Sequence, residues 1–129
     1  MEIFKWLNNS ALVKGYVIQD FRQSDSAFYL NLKISFKDNS ELHIREYSDA
    51  THRKYAFHWQ TQSGELITRW DNAPHFQELA TYPHHKHLAS GHVIESTDIS
   101  IDEVMTFIEL QIQSTWTIFS IIIHKCKVV

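Results

Sequence analysis

Residues 27–37 alternate without a break: Phe28, Leu30, Leu32, Ile34 and Phe36 are interleaved with Tyr29, Asn31, Lys33 and Ser35. Only an extended strand puts every second side chain on one side, so this segment reads as a strand with one face in a core and the other in water. Everything adjacent to it must then satisfy its two edges. Residues 13–22 supply a partner strand, with Ser24, Asp25 and Ser26 as the turn. On the other side Asp38, Asn39 and Ser40 are turn residues. A three-residue loop there predicts Phe36 opposite Leu42 and Ile34 opposite Ile44.

Two further strands follow, over 53–60 with Tyr55, Phe57 and Trp59 on one face, and over 65–71 with Leu66 and Trp70. A loop of Thr61, Gln62, Ser63 and Gly64 predicts Trp59 opposite Leu66 and Tyr55 opposite Trp70. Ser100-Ile101-Asp102-Glu103 has the form of a capping box, which places a helix start at Ile101. Ile101, Val104, Met105, Ile108 and Ile112 then make a stripe at helical spacing that would cover the apolar side of the sheet. Beyond Ser114, Trp116, Phe119 and Ile123 continue the stripe, whereas the run Ile121, Ile122, Ile123 favours a strand. Ordinary core packing is the expected fate of this tail, and burial against a second copy the other. The fold class is therefore α+β, a five-stranded antiparallel meander sheet with a C-terminal helix packed on one face. It is expected to be one domain over residues 1–129, with a core segment 10–112 and an apolar extension 114–129.

Composition narrows what such a domain does. A chain of 129 residues with 43% hydrophobic and 21% charged residues suits one globular unit. Cys126 is the only cysteine, so no internal disulfide forms. No secretory leader and no apolar run near ~20 residues is present, which points to the cytoplasm and away from membranes. A net charge of -3 excludes a general polyanion binder, so any RNA contact must be local.

The alternation that assigns the core also assigns the reverse face, where Lys33, His43, Arg45, His58, Arg69 and Asp71 should project together. Guanidinium groups bind phosphate oxygens in a bidentate way, and imidazole moves protons near neutrality. The plain alternative is a solvated sheet face. After the last expected strand come Arg69-Trp70-Asp71-Asn72-Ala73-Pro74-His75 and Pro83-His84-His85-Lys86-His87, read as two irregular, histidine-bearing segments anchored by Phe76 and Tyr82.

This pair of segments resembles the signature of the TumE family of toxin-antitoxin proteins, small prokaryotic proteins usually encoded beside a helix-turn-helix antitoxin. The likeness covers residues 10–112 and includes Leu42-His43-Ile44-Arg45-Glu46-Tyr47. It implies a type II toxin neutralised by a protein partner, with RNA as the expected substrate of many such toxins. The chemistry is read from the residues themselves: His75, His85 or His87 as general acid and base, Arg45 and Arg69 on the phosphorane, Asp71 orienting an imidazole or Arg69, and His58 between the arginine rows. That reading needs no cofactor. Two alternatives stand beside it. Zinc or nickel on His75, His84 and His87, with Asp71 nearby, would make a metal-binding protein. A noncatalytic module would use the basic face and the apolar tail for a protein partner or a homodimer.

Overall fold

The computed structural model describes residues 2–127. Elements run in the order α1 (Glu2–Asn9), β1 (Val13–Gln23), β2 (Ala27–Phe36), β3 (Glu41–Asp49), β4 (Arg53–Gln60), β5 (Leu66–Asp71), β6 (His85–Leu88), β7 (Val93–Glu95) and α2 (Ile101–Lys127). All seven strands form one sheet in the order β1 to β7, each antiparallel to its chain neighbour. The α+β class, the meander and the C-terminal helix are as expected, but the sheet has seven strands rather than five. The two extra strands grow from the histidine-bearing segment, which is not irregular at its second half. Its sequence shows no apolar alternation, so the period-two signal is missing. Yet the open edge of β5 presents backbone N–H and C=O groups that need partners, and β6 supplies them.

The core lies between the sheet and the two helices. Leu30, Leu32, Ile34, Phe36, Leu42, Ile44 and Phe57 are fully buried, together with Val104, Met105 and Ile108 of α2. Ile3 and Leu7 of α1 join them, although this short helix is not among the elements expected from the sequence. Phe107 packs edge-on against Trp59 and Trp70, and the Trp59 indole N–H donates to Ser40 Oγ at 3.0 Å. Burying a large apolar side chain contributes roughly 1.5–3 kcal/mol, so this face holds the sheet to the helix.

Both expected hairpin registers are two residues off. Ile34 faces Leu42 and Leu32 faces Ile44, because the turn closes between Phe36 and Ser40 with Asn39 in the left-handed region at φ 70°. Likewise Trp59 faces Thr68 and Phe57 faces Trp70, with a bulge at Trp59/Gln60 ahead of the loop closed on Gly64. A slip of two keeps every side chain on its assigned face, so the division into apolar and polar sides survives.

At the start of α2, Glu103 N–H donates to Ser100 Oγ at 3.2 Å. The Glu103 carboxylate accepts the Ser100 hydroxyl instead of the Ser100 amide, so only half of the capping box forms. The helix then continues unbroken to Lys127, which settles the helix-or-strand ambiguity of the tail. Core packing of the tail does not occur: among the described residues Ile112 is the last that is buried, and Trp116, Ile118, Phe119, Ile121, Ile122 and Ile123 are exposed. No helix among the described residues is long and apolar enough to cross a membrane.

Candidate functional site

The observed registers lay the polar face out in rows. Lys33, His43, His58, Arg69 and His87 are successive cross-strand partners from β2 to β6. Beside them runs a second row of Asn31, Arg45, Ala56, Asp71 and His85. Side chains paired across antiparallel strands project to one side at Cβ separations of ~4.5–5.5 Å, so these rows form one chemical surface.

Asp71 is its anchor. The carboxylate is buried, 5% exposed, and takes four polar neighbours. Oδ1 accepts from Ala73 N at 3.0 Å and lies 2.9 Å from His85 Nε2. Oδ2 accepts from Arg69 Nε at 3.0 Å and lies 3.3 Å from His87 Nε2. Burial opposes ionisation, but the Ala73 N–H, the Arg69 guanidinium and His85 outweigh it and hold Asp71 below the usual carboxylate range.

His85 is 1% exposed. Its Nδ1 lies 2.9 Å from the Pro83 carbonyl, which can only accept, so that nitrogen carries a hydrogen. The opposite nitrogen faces the Asp71 carboxylate. His85 Nε2 and Asp71 Oδ1, 2.9 Å apart, are close enough to share a metal ion. His85 cannot reach a macromolecular substrate from this position; its side chain contacts Asp71 from below the face.

His58 and His87 flank Arg69 in the first row. Arg69 Nη1 approaches His58 Nδ1 at 3.3 Å, with the arginine as the necessary donor. Burial, then the charge of Arg69 and the nearness of His43, lower the His58 pKa. For His87 burial again leads and, with His85 and Arg69, outweighs the attraction of Asp71, so its pKa is lowered too. Both imidazoles are thus biased toward the neutral form. Phe76 stacks edge-on against His85 and His87, as expected of an anchor, whereas Tyr82 is exposed and anchors nothing.

Of the residues the sequence singles out, Arg45, His58, Arg69, Asp71, His85 and His87 therefore share one face. His75 does not join them through any contact: it is exposed on the loop after β5, and among the described residues its side chain makes no hydrogen bond or ion pair. The metal set His75, His84 and His87 does not assemble either. His84 lies on the helix side of the sheet, its Nδ1 2.8 Å from the Tyr55 hydroxyl and its ring stacked on Tyr55. Adjacent strand residues point to opposite faces, which separates His84 from His85. The three groups that could share a metal ion are Asp71, His85 and His87, whose ligand atoms all lie within 4.8 Å of one another. Two histidines and a carboxylate suit zinc or nickel, and the Nδ1 contact to a backbone carbonyl is the usual outer support of a ligating histidine.

Several contributors escaped the sequence reading. Asn72 continues the β4–β5 ladder with its side chain, accepting from Tyr55 N at 3.0 Å and donating to Arg53 O at 2.7 Å. Ala56, Lys54, Tyr29 and Tyr47 also border the polar face; the period-two rule places Lys54 and Ala56 beside His58 and marks them without further information.

A family model described as Toxin TumE matches residues 3–112. Nothing among curated proteins and nothing among solved structures matches the chain.

Proposed function

Because this chain belongs to the TumE toxin family, and a toxin implies a cognate antitoxin, we propose that it is the RNA-cleaving toxin of a type II toxin-antitoxin pair. The observation that carries the reading is the row His58, Arg69, His87, a guanidinium between two imidazoles biased toward neutrality. His87, with Nε2–H held toward Asp71, has Nδ1 available to take the proton of an RNA 2′-hydroxyl. That oxygen attacks phosphorus, and His58, which on gaining a proton gives up its acceptance from Arg69, delivers a proton from Nε2 to the departing 5′-oxygen, giving a 2′,3′-cyclic phosphate and a free 5′-hydroxyl. Arg69, with Arg45 in the adjacent row, stabilises the charge that accumulates on the phosphorane oxygens. His85 and Asp71 are positioning residues for Arg69 and His87.

The experiment is RNA degradation by purified protein, wild type against Arg69→Ala and His87→Ala. Undiminished cleavage in both variants overturns the mechanism. On this reading the protein acts in the cytoplasm and meets a helix-turn-helix antitoxin there. The exposed apolar half of α2 pairs with a second copy, so truncation after Ser114 should convert a dimer to a monomer on gel filtration.

A second reading rests on the Asp71, His85 and His87 cluster. There zinc or nickel lies between His85, His87 and Asp71, and the face is a metal site. Elemental analysis of untagged protein separates the two: a stoichiometric metal favours the second, its absence the first.

A further inference from the structure

We propose that the depression over Ala56 holds one nucleotide of single-stranded RNA beside the scissile phosphate, its base against Tyr29 and Tyr47 and its phosphate on Arg45 and Lys54. The inference rests on the ribonuclease reading and adds to it a substrate class and a binding subsite.

The depression measures about 330 Å³ and is bordered by Tyr29, Arg45, Tyr47, Lys54, Ala56 and Arg69, with Tyr55 and Glu46, whose carboxylate is taken by Arg53, completing the lining. It exists because of one small side chain. Ala56 stands in the second row between Arg45 and Asp71, where every neighbour is longer, so the surface drops to the strand backbone. A volume near the lower end of the range for small-ligand sites, ~300–1,000 Å³, suits one nucleotide and not a duplex.

Charge points to the same place. Most cations on this side of the sheet already have carboxylates: Arg22 pairs with Asp20, Lys33 with Glu41, Arg69 with Asp71. Arg45 and Lys54 make no hydrogen bond or ion pair among the described residues, and both border the Ala56 depression. Two uncompensated cations at one hollow attract an anion, even though the whole chain carries a net charge of -3.

The remaining wall is aromatic. Tyr29 and Tyr47 are direct cross-strand partners, and Tyr47 in turn pairs with Lys54. The Tyr47 hydroxyl donates to Asp49 Oδ2 at 2.7 Å, which fixes that ring while leaving it 39% exposed. On their far side the same tyrosines border a second depression of about 430 Å³ that includes Arg22. They form a ridge open on both flanks, on which splayed bases can stack. Bases in a duplex are already stacked and cannot enter. Arg69 belongs to both the hollow and the His58–Arg69–His87 row, so a phosphate bound at one is adjacent to the reacting phosphate at the other.

The test uses the full chain and a fluorescent 2′-deoxy oligonucleotide, which lacks the attacking hydroxyl and reports binding without cleavage. Tyr29→Ala should weaken its binding by roughly 10-fold, as expected from loss of one base-aromatic stack. Arg45→Ala and Lys54→Ala should each flatten the slope of log K against log salt by about 0.7, which a structural defect alone would not do. Ala56→Phe should fill the hollow and abolish the specific component; if that variant fails to fold, the salt slopes and Tyr29→Ala decide. A hairpin duplex of the same sequence should bind at least 10-fold more weakly. Equal binding of duplex and single strand, or unchanged affinity and salt slope in the variants, overturns the subsite while leaving RNA cleavage standing. Absence of both oligonucleotide binding and RNA cleavage in the wild type overturns the subsite and the ribonuclease reading together.

Discussion

His85 Nε2 and Asp71 Oδ1 lie 2.9 Å apart beneath the polar face, and the other nitrogen of the same ring is claimed by the Pro83 carbonyl at 2.9 Å. Because both side chains are buried, the pair is a fixed foundation, and the groups above it inherit their positions from it. Arg69 and His87 are bound to the second oxygen of the same carboxylate, so one buried ion aligns a guanidinium and an imidazole.

Removing one partner of that foundation should be costly. His85→Ala removes one polar partner from a buried carboxylate that Arg69 still pairs, and leaves a hole beside it; breaking a buried pair costs up to about 3–5 kcal/mol. Urea unfolding should show a lower midpoint with little change in slope. A midpoint equal to wild type would mean that the pair is not formed.

The solvent-facing members should behave differently. His58→Ala and His87→Ala should each lower the rate of RNA cleavage by roughly 10²–10⁴-fold, and Arg69→Ala by roughly 10²–10³-fold. Thermal midpoints of the His58 and His87 variants should stay close to wild type, because neither imidazole is in the core. Single-turnover kinetics on a defined oligonucleotide is the measurement.

Acid should act on both activity and stability. The pKa values of His58 and His87 in the folded chain lie below the ordinary imidazole value of 6.5. The folded state therefore binds fewer protons than the unfolded chain, and the associated stability is present above pH 6.5 and is lost as pH falls through the folded values. Stability measured from pH 7.5 down to 5 should decline, with a shallower decline in the His58→Ala, His87→Ala double variant. The cleavage profile should be bell-shaped with its optimum below pH 6.5, since one imidazole must be neutral and the other charged. A flat profile across that range would remove imidazole from the chemistry.

The half-formed cap at α2 gives a local test. Ser100→Ala removes the oxygen that accepts from Glu103 N, at a cost of about 1 kcal/mol. Ser100→Asp should retain most of that stability, and thermal melts of the two would tell a capping role from a packing one.

What the sequence makes legible follows its periodicities. Phe28 to Phe36 assigns both faces of the sheet, and because the period is two, the slipped pairing of Ile34 with Leu42 changes no assignment. The slip itself depends on where Asn39 takes up its left-handed conformation, which composition does not fix. Strand β6 escaped because His84 through His87 carries no apolar alternation; its pairing is dictated by the edge of β5. Six of the seven candidate catalytic residues lie on one face because alternation put them there. Neither the burial of His85 nor the isolation of His75 has a local signal, since both depend on how the loop over residues 72–84 returns to the sheet. Adjacency alone sets His84 and His85 on opposite sides of an extended segment; which of them faces Asp71 follows from the pairing of β5 with β6.

Because each strand pairs only with the one made just before it, the sheet can zip up in the order of synthesis. The two rows of polar side chains begin on β2 and end on β6, so a ribosome-bound chain that has not yet extruded His87 presents Arg45, His58 and Arg69 without the proposed base. Local pairing of this kind forms quickly and early. On the ribonuclease reading the geometry gives the toxin a built-in delay, since synthesis must pass His87 before the two rows are whole.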